Sequence, residues 1–240
     1  MSDGTHGLAI ARFPGARDDY DLVLWEGVAL ALAARAGIDI AAWRFERVAG
    51  RRVLLVRRFD REAGRRVPFL SAMSMLGAGD REPRSYLEIA DALRRHGLAA
   101  RRDLAELWRR VVFNILISNT DDHLRNHGFP YEDGQGWRLS PAYDLNPTPA
   151  EIGPRILQTY IDEYDGTASV PRALATAEYY GPDLDDAKRI AGEVGRAVSA
   201  WRTTAAGFGA SPEEVMRMES AFAHKDLDEA MGYGTPFTGT

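Results

Sequence analysis

The sequence predicts an α+β protein with a small β-rich half and a larger, mainly helical half. Short strand candidates around a single helix fill the first part of the chain, up to about residue 60. Beyond that point, apolar residues recur at the three-and-four spacing of amphipathic helices. With 240 residues and 45% hydrophobic content, the chain can bury a sizeable core. We therefore expect two units, residues 1–60 and residues 61–240.

The first unit is predicted to run strand, helix, strand, strand. Pro14 and Gly15 end the first strand candidate, and Gly37 follows the helix as its stop signal. Acidic residues before the helix can cap its free amide groups, and Ala49-Gly50 can turn the chain between the last two strands. The predicted elements are a strand at 8–13, a helix capped by Asp18, Asp19 and Asp21 that ends near Arg35, and strands at 43–48 and 52–56.

The second unit is predicted to be mainly helical. A helix beginning near Arg101 carries an apolar stripe on one face, which we expect to be buried. Other helix starts carry capping signals, such as Ser85 followed by Glu88 and Ser211 followed by Pro212. The stripe of the first helix consists of Leu104, Leu107, Trp108, Val111, Val112 and Ile115. The further predicted helices start at Ser85, run from Ser169 through Tyr180, run from Asp183 to Thr204, and start at Ser211.

Composition limits the classes of function. The net charge of -5 argues against a dominant nucleic-acid surface, which needs a basic face. The sequence has no cysteine, so disulfides and thiol chemistry are excluded and a structural zinc cluster is disfavoured. It contains no apolar run of about 18 residues, and its first residues lack the features of a secretory signal. We therefore expect a cytoplasmic protein that does not enter the membrane.

A polar loop and a hairpin interrupt the helical half and carry the candidate chemistry. The loop spans residues 119–126, and two aromatic-bearing runs then flank a Gly-containing turn. In a kinase catalytic loop, an Asp that accepts the substrate hydroxyl proton precedes a magnesium-binding Asn, and a later Asp also binds metal. Asp121, Asn126 and Asp144 have this order and spacing. They predict a phosphoryl-transfer site in which Asp121 is catalytic and Asn126 and Asp144 hold Mg²⁺.

Two separated runs also carry a family resemblance. Residues 119–126, NTDDHLRN, and residues 139–145, LSPAYDL, resemble the signature of HipA-type serine/threonine kinases, the toxin components of bacterial toxin–antitoxin pairs. The resemblance implies a bilobal protein-kinase-like fold, with a truncated small β-rich N-lobe and a larger mainly helical C-lobe. It implies ATP and Mg²⁺ as cofactors. It also implies a protein substrate such as an aminoacyl-tRNA synthetase, and a HipB-like antitoxin through which alone nucleic acid is bound.

The same resemblance assigns residues to nucleotide binding. Arg57 and Phe59 lie in a segment similar to the linker between the lobes, where the adenine ring lies against the backbone. Glu26 falls where a kinase helix carries the acid that pairs with the phosphate-binding Lys. Arg12 takes the place of that Lys. His123 is grouped with these residues because it is expected to position the loop.

Two departures from the family pattern leave alternatives open. Arg12 keeps the positive charge but presents a planar fork, so it need not reach the same phosphate oxygens as Lys. The Gly-rich phosphate loop is absent from Met1–Gly7, which precedes that strand. One alternative is therefore a catalytically impaired pseudokinase or kinase fragment that serves as a partner-binding module. A third interpretation is a metal phosphohydrolase that uses Asp121, Asp122 and His123.

Overall fold

A computed structural model of the chain describes residues 8–15, 20–62, 64–80, 82–132 and 134–233. Three sequence expectations fall outside these ranges, namely those for Met1–Gly7, Asp18 and Asp19. Within the described residues, a small sheet precedes a mainly helical part, so the predicted α+β class is confirmed.

The small sheet forms from the first three strands and is accompanied by one helix. Its elements are β1 (Ala9–Arg12), α1 (Leu22–Arg35), β2 (Trp43–Val48) and β3 (Arg51–Arg57). The strands are antiparallel and lie in the order β1-β3-β2. Ala49 and Gly50 both have positive φ, which allows the two-residue turn between β2 and β3. Asp21 caps α1 by accepting a hydrogen bond from the backbone N of Leu24.

Short elements connect the sheet to the helical half. They are β4 (Arg61–Glu62), β5 (Arg65–Arg66), β6 (Phe69–Ser71), α2 (Ala72–Leu76) and β7 (Arg84–Ser85). β4 and β5 pair as a two-stranded ribbon directly after the small sheet. Ser71 caps α2 through the backbone N of Ser74, and Gly77 ends it with a φ of 61°.

Two helices precede the polar loop. α3 (Tyr86–His96) starts with the predicted capping box, in which Ser85 N donates to Glu88 Oε2 at 2.9 Å. α4 (Ala100–Leu116) follows and starts within one residue of the predicted position. All six residues of its predicted apolar stripe are buried, and none is more than 7% exposed. The buried α4 therefore ends where the polar loop begins and fixes the start of this loop at the core.

The polar loop and the hairpin form as predicted. They comprise a 3-10 turn (Leu124–Asn126), β8 (Gly128–Glu132) and β9 (Gly136–Trp137). β8 also pairs with β6, so the hairpin is anchored to the segment that follows the ribbon. Further along, β10 (Thr159–Tyr160) pairs in parallel with β7. This pairing returns the chain to the side of the polar loop.

Six further helices follow in the described part of the chain. They are α5 (Val170–Ala175), α6 (Leu184–Ser199), α7 (Trp201–Gly207), α8 (Pro212–Arg217), α9 (Glu219–Phe222) and α10 (Lys225–Gly232). Ser169 and Ser211 cap α5 and α8, and each is followed by a Pro in the first turn. Among the helices of the described ranges, none is long and apolar enough to cross a membrane.

Two of these helices are shorter than the sequence predicts. α5 ends at Ala175 instead of residue 180, where a 3-10 turn takes over, and the helix expected over 183–204 breaks at Ala200. A hydroxyl competes for the backbone at both breaks. Thr176 and Ser199 each donate to the carbonyl oxygen three residues earlier. Apolar periodicity alone did not reveal these local bonds.

The core is continuous from the small half to the last helices. The Trp25 ring of α1 lies 6.2 Å from the Trp201 ring and 6.0 Å from the Phe222 ring, measured between centroids. The buried residues of α1 belong to the same hydrophobic cluster as those of α4 and α6. The division into residues 1–60 and 61–240 stays a prediction, and the packing of α1 extends across it.

Gly27 is a close contact between α1 and the sheet, and its substitution should destabilise the fold. A Cβ at this position would lie 2.1 Å from Phe45 Cζ. Gly27→Ala should therefore lower the free energy of unfolding by about 1–3 kcal/mol, as measured by urea denaturation. Gly207→Ala is the matched control, because a Cβ there meets no atom within 4 Å. Equal stability of the two variants would contradict the packing described here.

Candidate functional site

An apolar cavity of about 500 Å³ lies between the small sheet and the segment after the hairpin. Phe59 lies at the centre of an aromatic cluster, with ring centroids 5.8 Å from Phe69 and 5.6 Å from Tyr143. A cavity of this size and lining suits a flat heteroaromatic ring. The cavity brings together five of the sequence-predicted site residues, which are Arg12, Glu26, Arg57, Phe59 and Asp144.

Three charged side chains meet at one end of this cavity, which we call the Arg12 cluster. Arg12 Nη1 lies 2.9 Å from Glu26 Oε2 and 2.6 Å from Asp144 Oδ1. Arg12 is the last residue of β1, Glu26 lies in α1, and Asp144 follows the hairpin. One guanidinium thus faces two carboxylates, which leaves one negative charge when both are ionised. Such an end of a cavity favours a further cation.

Burial shifts the protonation of Glu26. Desolvation raises the pKa of Glu26 from 4.5 to about 7, Arg12 lowers it, and the charge of Asp144 raises it. Burial of Arg12 opposes its charge, but the two ion pairs outweigh this effect and raise the pKa of its guanidinium. The net charge of the Arg12 cluster therefore changes near neutral pH.

Asp144 is held in an unusual backbone conformation. Its φ is +57°, in the left-handed region that residues other than glycine rarely adopt. The Asn146 Nδ2 donates to Asp144 Oδ1 at 2.8 Å. Upstream of Asp144, Ala142 N donates to Asp39 O at 2.7 Å, and the Tyr143 hydroxyl donates to Arg125 O at 2.7 Å. The last bond ties this segment to the polar loop next to Asn126.

A second cleft of about 790 Å³ is lined in part by the polar loop. Asp121 and His123 line it, so the structure places His123 here and not in the apolar cavity. The Asp121 carboxylate is exposed and accepts a 2.6 Å hydrogen bond from Gln158 Nε2. Gln158 was not predicted, because its contact with Asp121 spans 37 residues.

Asp122 has a different environment from its neighbour. It is only 2% exposed, and its Oδ2 accepts hydrogen bonds from the Tyr86 hydroxyl, Asn114 Nδ2 and His127 Nε2. Desolvation and the adjacent Asp122 charge raise the pKa of Tyr86. Asp122 therefore anchors the loop to α3 and α4. The polar groups of Tyr86 and Asn114, which lie within apolar stretches of these helices, are the sequence signal for this contact.

The buried position of Asp122 bears on the predicted phosphohydrolase site. Asp122 faces the core, whereas Asp121 and His123 line the second cleft. In the described part of the chain, no group of three or more His, Cys, Asp or Glu side chains could hold a metal ion. The structure therefore does not bring these three residues to one metal site.

Asn126 and Asp144 carry the types of oxygen donor that Mg²⁺ prefers. Asn126 is 6% exposed, and its Nδ2 lies 3.4 Å from Asp121 O, so the amide oxygen is the atom of this side chain that could bind a metal. Carboxylate and amide oxygens are hard ligands, and protein Mg²⁺ sites typically use one or two carboxylates together with phosphate oxygens. The residues present therefore fit Mg²⁺ in company with a nucleotide.

Comparison with known proteins places the chain in a family. The family model described as HipA-like C-terminal domain matches residues 2–201. This chain belongs to the HipA-like C-terminal domain family. A Haemophilus influenzae protein named "Putative kinase" is 29% identical over 115 residues, which are 45% of this HipA-like chain and 34% of that protein. A Sinorhizobium fredii protein, "Putative kinase Y4mE", is 29% identical over 161 residues, covering 61% and 36% of the two chains.

Solved structures support the same fold. HipA of Shewanella oneidensis MR-1, determined in a complex of the toxin–antitoxin proteins HipA and HipB with operator DNA, matches with a TM-score of 0.66 and 17% identity. The match covers 94% of the HipA-like chain and 57% of that structure. The Helicobacter pylori proinflammatory kinase CtkA matches with a TM-score of 0.61 and 13% identity over 96% and 93% of the two chains. The HipA-like chain thus has a kinase-like fold and spans about a third of the two curated relatives.

The raised pKa of Glu26 predicts a pH-dependent stability. A carboxyl group whose folded pKa is raised stabilises the native state fully below its ordinary pKa, and this contribution is lost as the pH rises through about 7. Glu26→Gln cannot titrate. The free energy of unfolding of the parent, relative to this variant, should therefore fall by about 1–3 kcal/mol between about pH 5 and about pH 8.

Urea denaturation across this pH range, followed by tryptophan fluorescence, measures the difference. Glu46→Gln is the control, because Glu46 is exposed and pairs with Arg44 on the sheet. The control should differ from the parent by the same amount at each pH. A pH-independent difference for Glu26→Gln would contradict the raised pKa.

Proposed function

We propose that this HipA-like chain is a protein serine/threonine kinase that transfers the γ-phosphoryl group of ATP to a protein hydroxyl. The observation that carries the proposal is the placement of the two clefts. The Arg12 cluster lines an apolar cavity, while Asp121 of the polar loop lines a separate cleft. The Tyr143 hydroxyl, in the lining of the cavity, donates to Arg125 O of the polar loop, so a nucleotide in the cavity and a polypeptide in the cleft would both lie near this loop.

The apolar cavity is the proposed nucleotide site. The adenine ring would lie among Phe59, Phe69 and Tyr143, against the linker backbone that includes Arg57. The phosphates would then point toward the Arg12 cluster. Arg12 would turn part of its fork to phosphate oxygens while Glu26 keeps it in place. Mg²⁺, when held by Asn126 and Asp144, supplies neutralisation of the phosphate charge.

The second cleft is the proposed site for the substrate hydroxyl. Asp121 would accept a hydrogen bond from the hydroxyl and orient it for in-line attack. The hydroxyl oxygen bonds to the γ-phosphorus as the bond to the bridging β–γ oxygen breaks, and ADP leaves. The hydroxyl proton passes to the Asp121 carboxylate. Gln158 holds this carboxylate in the cleft before the substrate arrives.

The proposal predicts two different losses of function. Asp121→Ala should lower phosphoryl transfer from labelled ATP to protein by at least about 100-fold, because it removes the proton acceptor, but it should retain nucleotide binding. Asp144→Ala should lose Mg²⁺-dependent nucleotide binding, measured by calorimetry. Asp91→Ala is the control, since Asp91 is an exposed Asp on α3 that pairs with Arg94. Undiminished labelling by Asp121→Ala, or parental affinity in Asp144→Ala, would refute these roles.

We extend the proposal to the biological setting of HipA-type toxins. By resemblance to these toxins, we expect a HipB-like antitoxin as partner and an aminoacyl-tRNA synthetase as a protein substrate. The solved HipA complex with HipB and operator DNA supports the first of these by similarity of fold. Labelling reactions with and without the neighbouring gene product test the partner. Labelling of an added synthetase tests the substrate.

A second candidate function is a partner-binding module without phosphoryl transfer. Its supporting observation is that Arg12 already occupies Asp144 Oδ1 at 2.6 Å, the carboxylate that a metal would need. A thermal shift titration separates the two candidates, because a ligand that binds the native state raises the melting temperature. A rise with ATP and Mg²⁺ together supports the kinase. An unchanged melting temperature supports the binding module.

A further inference from the structure

Three asparagines connect the buried Asp122 to Asp144 through their side chains and one backbone N–H, and we call them the asparagine relay. Asn114 Nδ2 donates to Asp122 Oδ2 at 2.9 Å, and Asn119 Nδ2 donates to Asn114 Oδ1 at 3.1 Å. Asn119 Oδ1 in turn accepts from Asn146 N at 3.4 Å. Asn146 Nδ2 then donates to Asp144 Oδ1 at 2.8 Å. The relay thus runs from the base of the polar loop to the proposed metal ligand.

The relay depends on amide side chains in particular. The side-chain amides of Asn114 and Asn119 each offer a donor and an acceptor, so each connects two partners. Asn146 donates to Asn119 through its backbone N and to Asp144 through Nδ2. Asn114 is 1% exposed and Asn119 is 0% exposed, so neither can exchange its partner for water. A break at Asn119 takes the donor from Asn114 Oδ1 and removes the link to Asn146, whereas a break at Asn114 separates Asn119 from Asp122.

The backbone around Asn119 is shaped to fit this arrangement. α4 ends just before it, and Ser118 has a φ of +52°, a left-handed conformation that turns the chain out of the helix. Asn119 N then donates to Asn114 O at 2.9 Å. A second link from this turn, from Thr148 N to Ser118 O at 3.1 Å, lies beside the relay. The side-chain hydrogen bonds of the relay therefore add to a backbone contact that already brings Thr148 close to Ser118.

We infer that Asn119 and Asn146 are positioning residues for the Asp144 carboxylate. They fix the position of this carboxylate relative to the polar loop, so that Asp144 and Asn126 present oxygens to the same cation. Asn146 acts on the carboxylate directly, and Asn119 acts through Asn146. This inference rests on the proposed kinase function, in which these two oxygens hold Mg²⁺. Outer hydrogen-bond partners of metal ligands typically change metal affinity by about 10–100-fold.

Hydrogen exchange of the parent protein and its variants tests the connection without nucleotide. Asn119→Leu removes the side-chain oxygen that accepts from the backbone N of Asn146, so exchange in the segment 143–148 should become at least about tenfold faster. Asn146→Ala, at a half-buried position, removes the side-chain donor to Asp144 but keeps the backbone N that donates to Asn119. Exchange should therefore become faster in the segment 143–148 and stay at the parental rate in residues 119–126. Thr204→Val removes a buried hydroxyl that bonds Arg35 and should change neither segment. Parental exchange rates in both relay variants would overturn the inference.

Binding of a non-hydrolysable ATP analogue separates positioning from general destabilisation. With Mg²⁺, both relay variants should bind it at least about tenfold more weakly than the parent. With EDTA in place of Mg²⁺, their affinities should match that of the parent. Equal weakening with and without Mg²⁺ would overturn the positioning role and indicate a structural one. If Asn119→Leu does not fold, Asn146→Ala decides both measurements.

The two measurements also distinguish this inference from the proposed function. A parent protein that binds the analogue neither with Mg²⁺ nor with EDTA would refute the kinase proposal and, with it, the positioning of a metal ligand. The exchange data would then still decide whether the relay couples the two segments. A parent that binds with Mg²⁺, beside variants that bind equally well, would refute the relay alone.

Discussion

The shared ion pair of Arg12 with Glu26 and Asp144 is the interaction on which the rest of the site depends. It joins a strand, a helix and a loop, and 132 positions separate Arg12 from Asp144 in the sequence. Glu26 is buried, so its negative charge requires a nearby cation. Arg12 supplies this cation and offsets part of the cost of burial, although the pKa of Glu26 stays raised, and it also reaches the acid that is proposed to bind metal. The same contact therefore orders the pocket and controls access to Asp144.

The position of Glu26 depends on packing far from the pocket. α1 carries Glu26 next to Trp25, whose ring packs against Trp201 and Phe222 from the last helices. The small sheet alone thus does not set the geometry of the Arg12 cluster. Since α1 shares the core of the helical half, the two halves are expected to unfold together. The geometry of the Arg12 cluster therefore depends on the hydrophobic core that the two halves share.

Local sequence signals predicted much of the fold. The apolar stripe of α4, the capping box at Ser85 and the hairpin all depend on residues within a few positions of one another, and all three are present. The predicted ends of α5 and α6 were wrong, because the sequence pattern predicted that both helices continue. Thr176 and Ser199 compete for backbone carbonyls without disturbing the apolar pattern.

The candidate site was only partly predictable. Motif spacing pointed to Asp121, Asn126 and Asp144, and their roles stay predictions. Gln158 and Tyr86 contact the polar loop across more than 30 residues, so no local pattern could identify them. The structure also separates Asp121 from Asp122, which are adjacent in sequence. One faces a cleft and the other faces the core, a difference that only the three-dimensional fold reveals.

A crystal structure with Mn²⁺ and a non-hydrolysable ATP analogue tests the central claim most directly. Mn²⁺ can replace Mg²⁺ because both bind oxygen ligands, and the anomalous scattering of Mn²⁺ locates it in the crystal. The account predicts a peak about 2.0–2.3 Å from both the Asp144 carboxylate and the Asn126 amide oxygen, with Arg12 moved from Asp144 to the phosphates. A cation bound elsewhere, or Arg12 still paired with Asp144 beside a bound nucleotide, would contradict it.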